Sequence, residues 1–245
     1  VESYRGKTKQ FFVEQDKVNV EQSAYLIEQI PITFYIRQLF SNQTEIRTRG
    51  DGKSVVYNDN LSQLKMDRTT NIITFFENKP GDETLLYTNN LTQTFTQMKR
   101  LGGWQLGMSF SSVDLSSNIV EYVRYVSSYP ILSSGREGMT QVKATTNGIE
   151  KLRTSSLIAQ TPLPTKNKKV TIVGGKDIVA ELLNEGFSMN EIEDIRIGYS
   201  WTTSSENNQI VEFIPTWYIK INNKWKTLSE LKADKKAGDA ANKQT

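Results

Sequence analysis

Between Val211 and Ile221 the apolar residues Val211, Phe213, Trp217, Ile219 and Ile221 all fall on odd positions. Successive Cβ atoms of an extended strand point to opposite sides of a sheet, so this set lines one continuous face. Asn222-Asn223 follows, a pair that tolerates the positive φ of a tight turn, and Trp225 returns the chain towards Leu228. A lone hairpin with one apolar face is at best marginal in water, so the pattern demands a second layer. Pro215 lacks an N–H for the ladder and predicts an edge strand or a bulge. The even positions Ile210, Ile214 and Tyr218 share the other face with Glu212, Thr216 and Lys220. Such a mixture suits a protein contact surface, and cover by the chain's own helix is the competing reading.

Similar grammar recurs upstream. Ile195, Ile197, Tyr199 and Trp201 alternate with Arg196, Gly198 and Ser200, a half-buried strand. Asn147-Gly148 between residues 140–146 and 149–155 is a strong hairpin signal. Gly50-Asp51-Gly52 marks another between 44–48 and 54–57, and the polar turn 67–70 joins strands at 63–66 and 71–76. Helical spacing appears in Ile32, Tyr35, Ile36, Leu39 and Phe40 after Pro31, and in Leu91, Phe95 and Met98 before Gly102-Gly103. A third helix carries Ile178, Val179, Leu182 and Leu183 and ends at Gly186, and Ser188 to Glu191 matches a capping box.

Strands in runs with occasional helices give an α+β fold: two tandem, topologically related units of antiparallel sheet with helices packed on one face. Ser111 to Asn118 is small and polar and reads as a linker. The expected division is 1–115, 116–231, and a disordered tail at 232–245, where Lys, Ala, Asp and Asn occur without an aromatic.

The 245 residues contain no cysteine and no histidine. Thiol nucleophiles, Ser-His-Asp triads, histidine acid–base chemistry and Cys/His zinc sites are therefore excluded. Oxygen-ligand cation sites and paired-carboxylate hydrolysis stay open. Glu191, Glu193 and Asp194 lie close together, but capping and solubility explain them better than a catalytic pair. Val173-Gly174-Gly175-Lys176 lacks the spacing of a phosphate-binding loop and reads as a strand-to-helix turn. Lys166, Lys168, Lys169 and Lys176 read as a solvated cluster, with attraction to anionic headgroups or wall polymers as the functional alternative. Thirty Lys plus Arg against 27 Asp plus Glu leave +3, too balanced for a nucleic-acid binder. No catalytic residue, metal or cofactor is expected. Zero cysteine fits the exterior of a Gram-positive cell, and chance with a cytosolic role fits it equally.

Ile195-Arg196-Ile197-Gly198-Tyr199, then Phe213-Ile214-Pro215-Thr216-Trp217-Tyr218-Ile219-Lys220 and Lys224-Trp225, resemble the C-terminal signature of the YycH (WalH) family. Upstream, Gln29-Ile30-Pro31 with Leu39-Phe40-Ser41, Leu101-Gly102-Gly103-Trp104, Tyr122-Val123-Arg124-Tyr125 and Ser128-Tyr129-Pro130-Ile131 follow the family's order, Ser128 replacing a usual glycine. The resemblance covers most of residues 21–228. It implies middle and C-terminal domains of an accessory protein held on the outer side of the cell membrane by an N-terminal transmembrane helix absent here. Its implied partners are a YycI-type paralogue and the WalK (YycG) sensor histidine kinase, whose control of cell-wall metabolism it modulates. The family supplies no catalytic residues to carry over.

The partner-contact candidates are Trp201, Ile210, Ile214, Tyr218 and Trp225. A rival function is an exported cell-wall carbohydrate-binding module or carboxylate-based hydrolase, with Trp201, Tyr218 or Trp225 stacking on sugar rings. A structural spacer is the third.

Overall fold

A computed structural model describes residues 2–7, 9–41, 43, 46–78, 87–101, 107–133, 135, 137–145 and 148–242. In chain order the strands and helices are β1 (Glu2–Arg5), β2 (Gln10–Val13), β3 (Val18–Gln29), α1 (Ile32–Leu39), β4 (Arg47–Gly50), β5 (Ser54–Asn58), β6 (Ser62–Asp67) and β7 (Ile72–Glu77). They continue through α2 (Tyr87–Arg100), β8 (Met108–Asp114), β9 (Ile119–Val126), β10 (Tyr129–Pro130), β11 (Met139–Thr145), β12 (Gly148–Ser155), β13 (Leu157–Pro162) and β14 (Lys168–Ile172). Last come α3 (Gly175–Asn184), β15 (Asp194–Thr203), β16 (Ile210–Ile221), β17 (Lys224–Thr227) and α4 (Leu228–Asn242). The class is α+β. One sheet runs β10-β9-β11-β12-β7-β6-β5-β4, with β8 also on β9. A second runs β13-β3-β16-β15, with β14 on β3 and β17 on β16, and β1 pairs with β2.

The units are nested rather than tandem. One comprises Val1–Tyr25, Leu132–Ser134 and Pro162–Thr245; the other comprises Leu26–Ile131 and Gly135–Thr161. A cut at 115/116 therefore separates strands of one sheet: β12 pairs with β7 through Leu152↔Phe75, and β8 pairs with β9 through Val113↔Val120. The run read as a linker divides accordingly. Ser111 to Asp114 finish β8, and Asp114 accepts the Ser116 N–H and both nearby serine hydroxyls to form the turn into β9.

In the inserted unit a core row crosses the sheet through Tyr57, Leu64, Phe75, Leu152, Val142 and Val120, neighbours in register from β5 to β9. Tyr35, Leu39 and Phe40 from α1 and its end, and Met98 and Leu101 from α2 and its end, join the same core. Phe95 does not follow the expected apolar face of α2: Leu91, Thr94 and Met98 turn inward and Phe95 is exposed. A buried Thr94–Tyr122 hydroxyl contact of 3.1 Å ties the inward face to β9. Three hairpin turns close in one way, with Asp51, Asp59 and Asp67 each accepting two backbone N–H groups just ahead. The Gly102-Gly103-Trp104 motif and Asn147 lie outside the described residues.

In the other unit β15 and β16 pair without a break from Asp194↔Lys220 to Thr203↔Val211. Asn222 and Asn223 both take positive φ, 50° and 59°, as the tight turn into β17 requires. Pro215 does not mark an edge or a bulge: it pairs with Tyr199 in unbroken register, and β16 lies between β3 and β15. The missing donor leaves that ladder otherwise intact. The capping box at Ser188 forms as expected, Ser188 and Glu191 satisfying each other's end of a short 3₁₀ turn.

Residues 232–242 are helical, not a disordered tail. Thr227 and Glu230 make a second capping box, the Glu230 carboxylate accepting the Thr227 N–H at 2.7 Å and Thr227 Oγ1 accepting the Glu230 N–H at 3.3 Å. Lys232 reaches Glu181 of α3 and Glu185 just past its end, and Lys235 donates to the Glu185 carbonyl. An Ala- and Lys-rich segment has the propensity to continue a helix once such a start exists.

Candidate interaction surfaces

Alternation along β15 and β16 places Ile195, Ile197, Tyr199 and Trp201 opposite Ile219, Trp217, Pro215 and Phe213 on one face. Phe213 is the hub. Its ring meets Tyr25 edge-on at 5.5 Å, Trp201 at 5.7 Å and Tyr199 at 5.9 Å. The Tyr199 hydroxyl donates to the Glu21 carbonyl at 2.6 Å, and Trp217 Nε1 donates to the Val173 carbonyl at 2.9 Å. Gly175 lets α3 approach this face: a Cβ there would stand 3.0 Å from the Trp217 ring.

The five contact candidates do not form an exposed patch. Tyr218 is 1 % exposed, Ile210 and Trp225 7 %, and Trp201 9 %; Ile214 alone is half-buried. The reading of the even face as a contact surface therefore fails for Ile210 and Tyr218, which belong to the core. Two cations lie over the Trp225 ring, the Arg196 guanidinium at 4.9 Å and the Lys220 ammonium at 5.7 Å. Asp194 pairs with Arg196 and also with Lys9 at 2.9 Å. Glu193, likewise buried, accepts the Asn223 N–H and anchors the hairpin turn. These carboxylates build the hairpin rather than face each other across a cleft.

A sugar-stacking platform needs an open aromatic face, and Trp201, Tyr218 and Trp225 do not offer one. A polar cavity of about 220 Å³ in the inserted unit is lined by Arg37, Glu77, Gln97 and Arg100 among others, without a tryptophan or tyrosine. Among the described residues no group of three acidic side chains is placed to hold a metal ion.

The nine-stranded sheet presents a different surface. Opposite its core row, register aligns Arg49, Val56, Lys65, Thr74, Arg153, Gln141 and Glu121 across β4, β5, β6, β7, β12, β11 and β9. A parallel row holds Arg47, Asn58, Gln63, Phe76, Lys151 and Lys143. Arg47, Arg49, Lys65, Phe76, Lys151 and Arg153 are all exposed. The sequence reading passed over these residues because each charge sits in a short strand. Their shared parity with Thr74 and Phe76, opposite to Leu64, Phe75 and Leu152, is the signal that gathers them.

Fold and surfaces together define a β-rich α+β scaffold with well-ordered faces and no assembled catalytic constellation among the described residues. Residues 8–235 match the family model of the YycH protein C-terminal domain, and the chain belongs to the YycH family. A curated relative, the two-component system WalR/WalK regulatory protein YycH of Bacillus subtilis (strain 168), is 20% identical over 228 residues, covering 89% of this chain and 50% of the relative. The crystal structure of YycH from Bacillus subtilis superposes with a TM-score of 0.71 at 16% identity, over 92% of this chain and 56% of that one. The chain thus spans about half the length of these relatives.

Proposed function

We propose that this chain is a non-enzymatic regulatory module of a WalR/WalK-type two-component system. It binds a YycI-type paralogue and the WalK sensor kinase outside the cytoplasm and shifts the kinase between signalling states by binding one of them better. The observation that carries this reading is the match over residues 8–235 to a family whose curated member is a WalR/WalK regulatory protein. The absence of cysteine and histidine supports it, since the residue types of most hydrolytic and redox sites are missing. Membrane attachment is assigned to a single-pass anchor outside these residues; among the described ones no helix is long and apolar enough to cross a membrane. The carbohydrate-active alternative is not favoured, because its three aromatic candidates are buried.

The test is biolayer interferometry with immobilised extracytoplasmic domains of the kinase and of the paralogue, paired with autophosphorylation of the full-length kinase in nanodiscs. Saturable binding and a changed autophosphorylation rate on adding the chain are expected. Absence of binding to both domains would contradict the proposal.

A further inference from the structure

We infer that the polar cavity of the inserted unit binds a small zwitterion, a free amino acid or a dipeptide, with Glu77 receiving its ammonium and Arg37 and Arg100 its carboxylate. The inference concerns this unit alone and goes beyond the regulatory reading.

The cavity lies where four elements begin or end. Arg37 to Ser41 belong to the last turn of α1 and the residues after it, and Gln97 to Leu101 to the end of α2. Glu77 closes β7, and Gly148 and Ile149 open β12. The volume of about 220 Å³ is below the ~300–1,000 Å³ of pockets that hold drug-sized molecules, so the occupant is smaller than those.

Its charges are sorted by exposure. Glu77 is 3 % exposed and Gln97 7 %, whereas Arg37 and Arg100 stand in solvent. The buried end is therefore negative and the exposed end positive. The last carbonyls of α1 and α2, unmatched within their helices, add partial negative charge beside Glu77.

Helix capping alone explains the arginines, because a cation in a last turn complements the carbonyl end of its helix. It does not explain why Glu77 and Gln97 are taken out of water at a cavity wall, which costs free energy. Arg100 Nη1 donates to Gln97 Oε1 at 3.3 Å, and the Gln97 amide nitrogen, on a side chain nine-tenths buried, meets no acceptor among the described residues. Arg37 makes no ion pair or side-chain hydrogen bond among them either. Glu77 already has a contact within the chain, and the roughly four acceptor sites of a carboxylate leave room for an ammonium.

Neither sign of ligand fits by itself. A simple anion would be repelled by Glu77, and a simple amine by the two guanidinium groups. A molecule carrying both charges satisfies both ends, its carboxylate meeting the planar guanidinium forks and the Gln97 amide N–H. The apolar side chains completing the wall, Leu39, Phe40, Leu101 and Ile149, offer only a short apolar contact.

The experiment is isothermal titration calorimetry on the whole chain with L-alanine and L-alanyl-L-alanine. Two charge-deleted analogues accompany them: N-acetyl-L-alanine, which lacks the ammonium, and L-alaninamide, which lacks the carboxylate. The variants are Glu77→Gln, Arg37→Gln/Arg100→Gln and a control, Lys99→Gln, exposed on the same helix and not lining the cavity. Circular dichroism with thermal melts verifies that each folds. The expected result is saturable binding of at least one zwitterion, weaker by about tenfold or more for both analogues and in both site variants, and unchanged in the control. Should Glu77→Gln fail to fold, the exposed arginine pair and the analogue series carry the test. Three results overturn the inference: neither zwitterion binds up to 20 mM, an analogue binds as well as its parent, or binding survives the arginine pair or falls equally in the control. Each of them leaves the regulatory reading standing.

Discussion

The hairpin of β15 and β16 and the strands β6, β7 and β12 obey the same two-residue alternation yet end in opposite states. Along β16 large apolar side chains occupy both parities: Phe213 and Trp217 on one face, Ile210 and Tyr218 on the other, and all four are buried. Across β6, β7 and β12, Leu64, Phe75 and Leu152 are buried on one face, while Lys65, Thr74, Phe76, Lys151 and Arg153 on the other remain in solvent. The difference teaches that a strand's burial is set by its poorer face. A few large apolar groups among polar neighbours are enough to require cover, whereas a row of charges forbids it.

The largest expected effect is on the buried side of this contrast. Phe213→Ala removes a ring that touches three other aromatics, and should cost about 3–5 kcal/mol in urea unfolding. A loss below 1 kcal/mol would mean that the hairpin is not the packed centre described here.

Next is a cation on the buried side of the nine-stranded sheet. Arg124 is buried on β9, and its Nε and Nη1 meet no hydrogen-bond acceptor among the described residues. Burial pulls its pKa down to about 10, so it is still charged at neutral pH. Arg124→Met should therefore leave stability unchanged or raise it, by about 1 kcal/mol or more. A base with a lowered folded pKa binds fewer protons when folded, so its penalty is complete below pH 10 and shrinks above it. The gap between wild type and variant should narrow accordingly in denaturant titrations at rising pH. Burial pushes the neighbouring Tyr35 the opposite way and the Arg124 charge pulls it partly back, so the burial contribution is common to both proteins and the pull is lost in the variant.

Smaller again is Tyr199→Phe, which strips one hydrogen bond from the Glu21 carbonyl and should cost about 1 kcal/mol. On the open face Lys65→Gln should change stability by no more than about 0.5 kcal/mol in the same assay. The least effect belongs to the turns. Backbone N–H groups hold the Asp51 and Asp67 carboxyls below their ordinary range, so their contribution is present above the usual carboxylate pKa and fades as pH falls through the lowered one. In Asp51→Asn/Asp67→Asn that part of the acid dependence of the melting temperature should disappear.

Much of the fold was legible because its signals are local. The odd-position apolar run, the Asn222-Asn223 turn, the helix after Pro31 and the Ser188 capping box each depend on a few adjacent residues, and each formed. What failed depends on distant partners. Nothing near Ser111 says that β8 will pair with β9 or that β12 will reach back to β7, so the nested units looked tandem. Tyr218 and Ile210 looked like a contact face because their cover lies elsewhere in the chain. The α4 helix was an avoidable miss: Thr227-Leu228-Ser229-Glu230 carries the same capping signal as Ser188 to Glu191. The basic rows were readable only as parity, and then only once the register across β4 to β12 was known.

Hydrogen exchange of the chain, followed by mass spectrometry, tests the contrast most directly. The amides of β15 and β16, whose large side chains are buried on both faces, should be the slowest. Those of β4 and β5, at the edge of the nine-stranded sheet with one face in solvent, should exchange faster. Exchange in β15 and β16 as fast as in β4 and β5 would contradict the account.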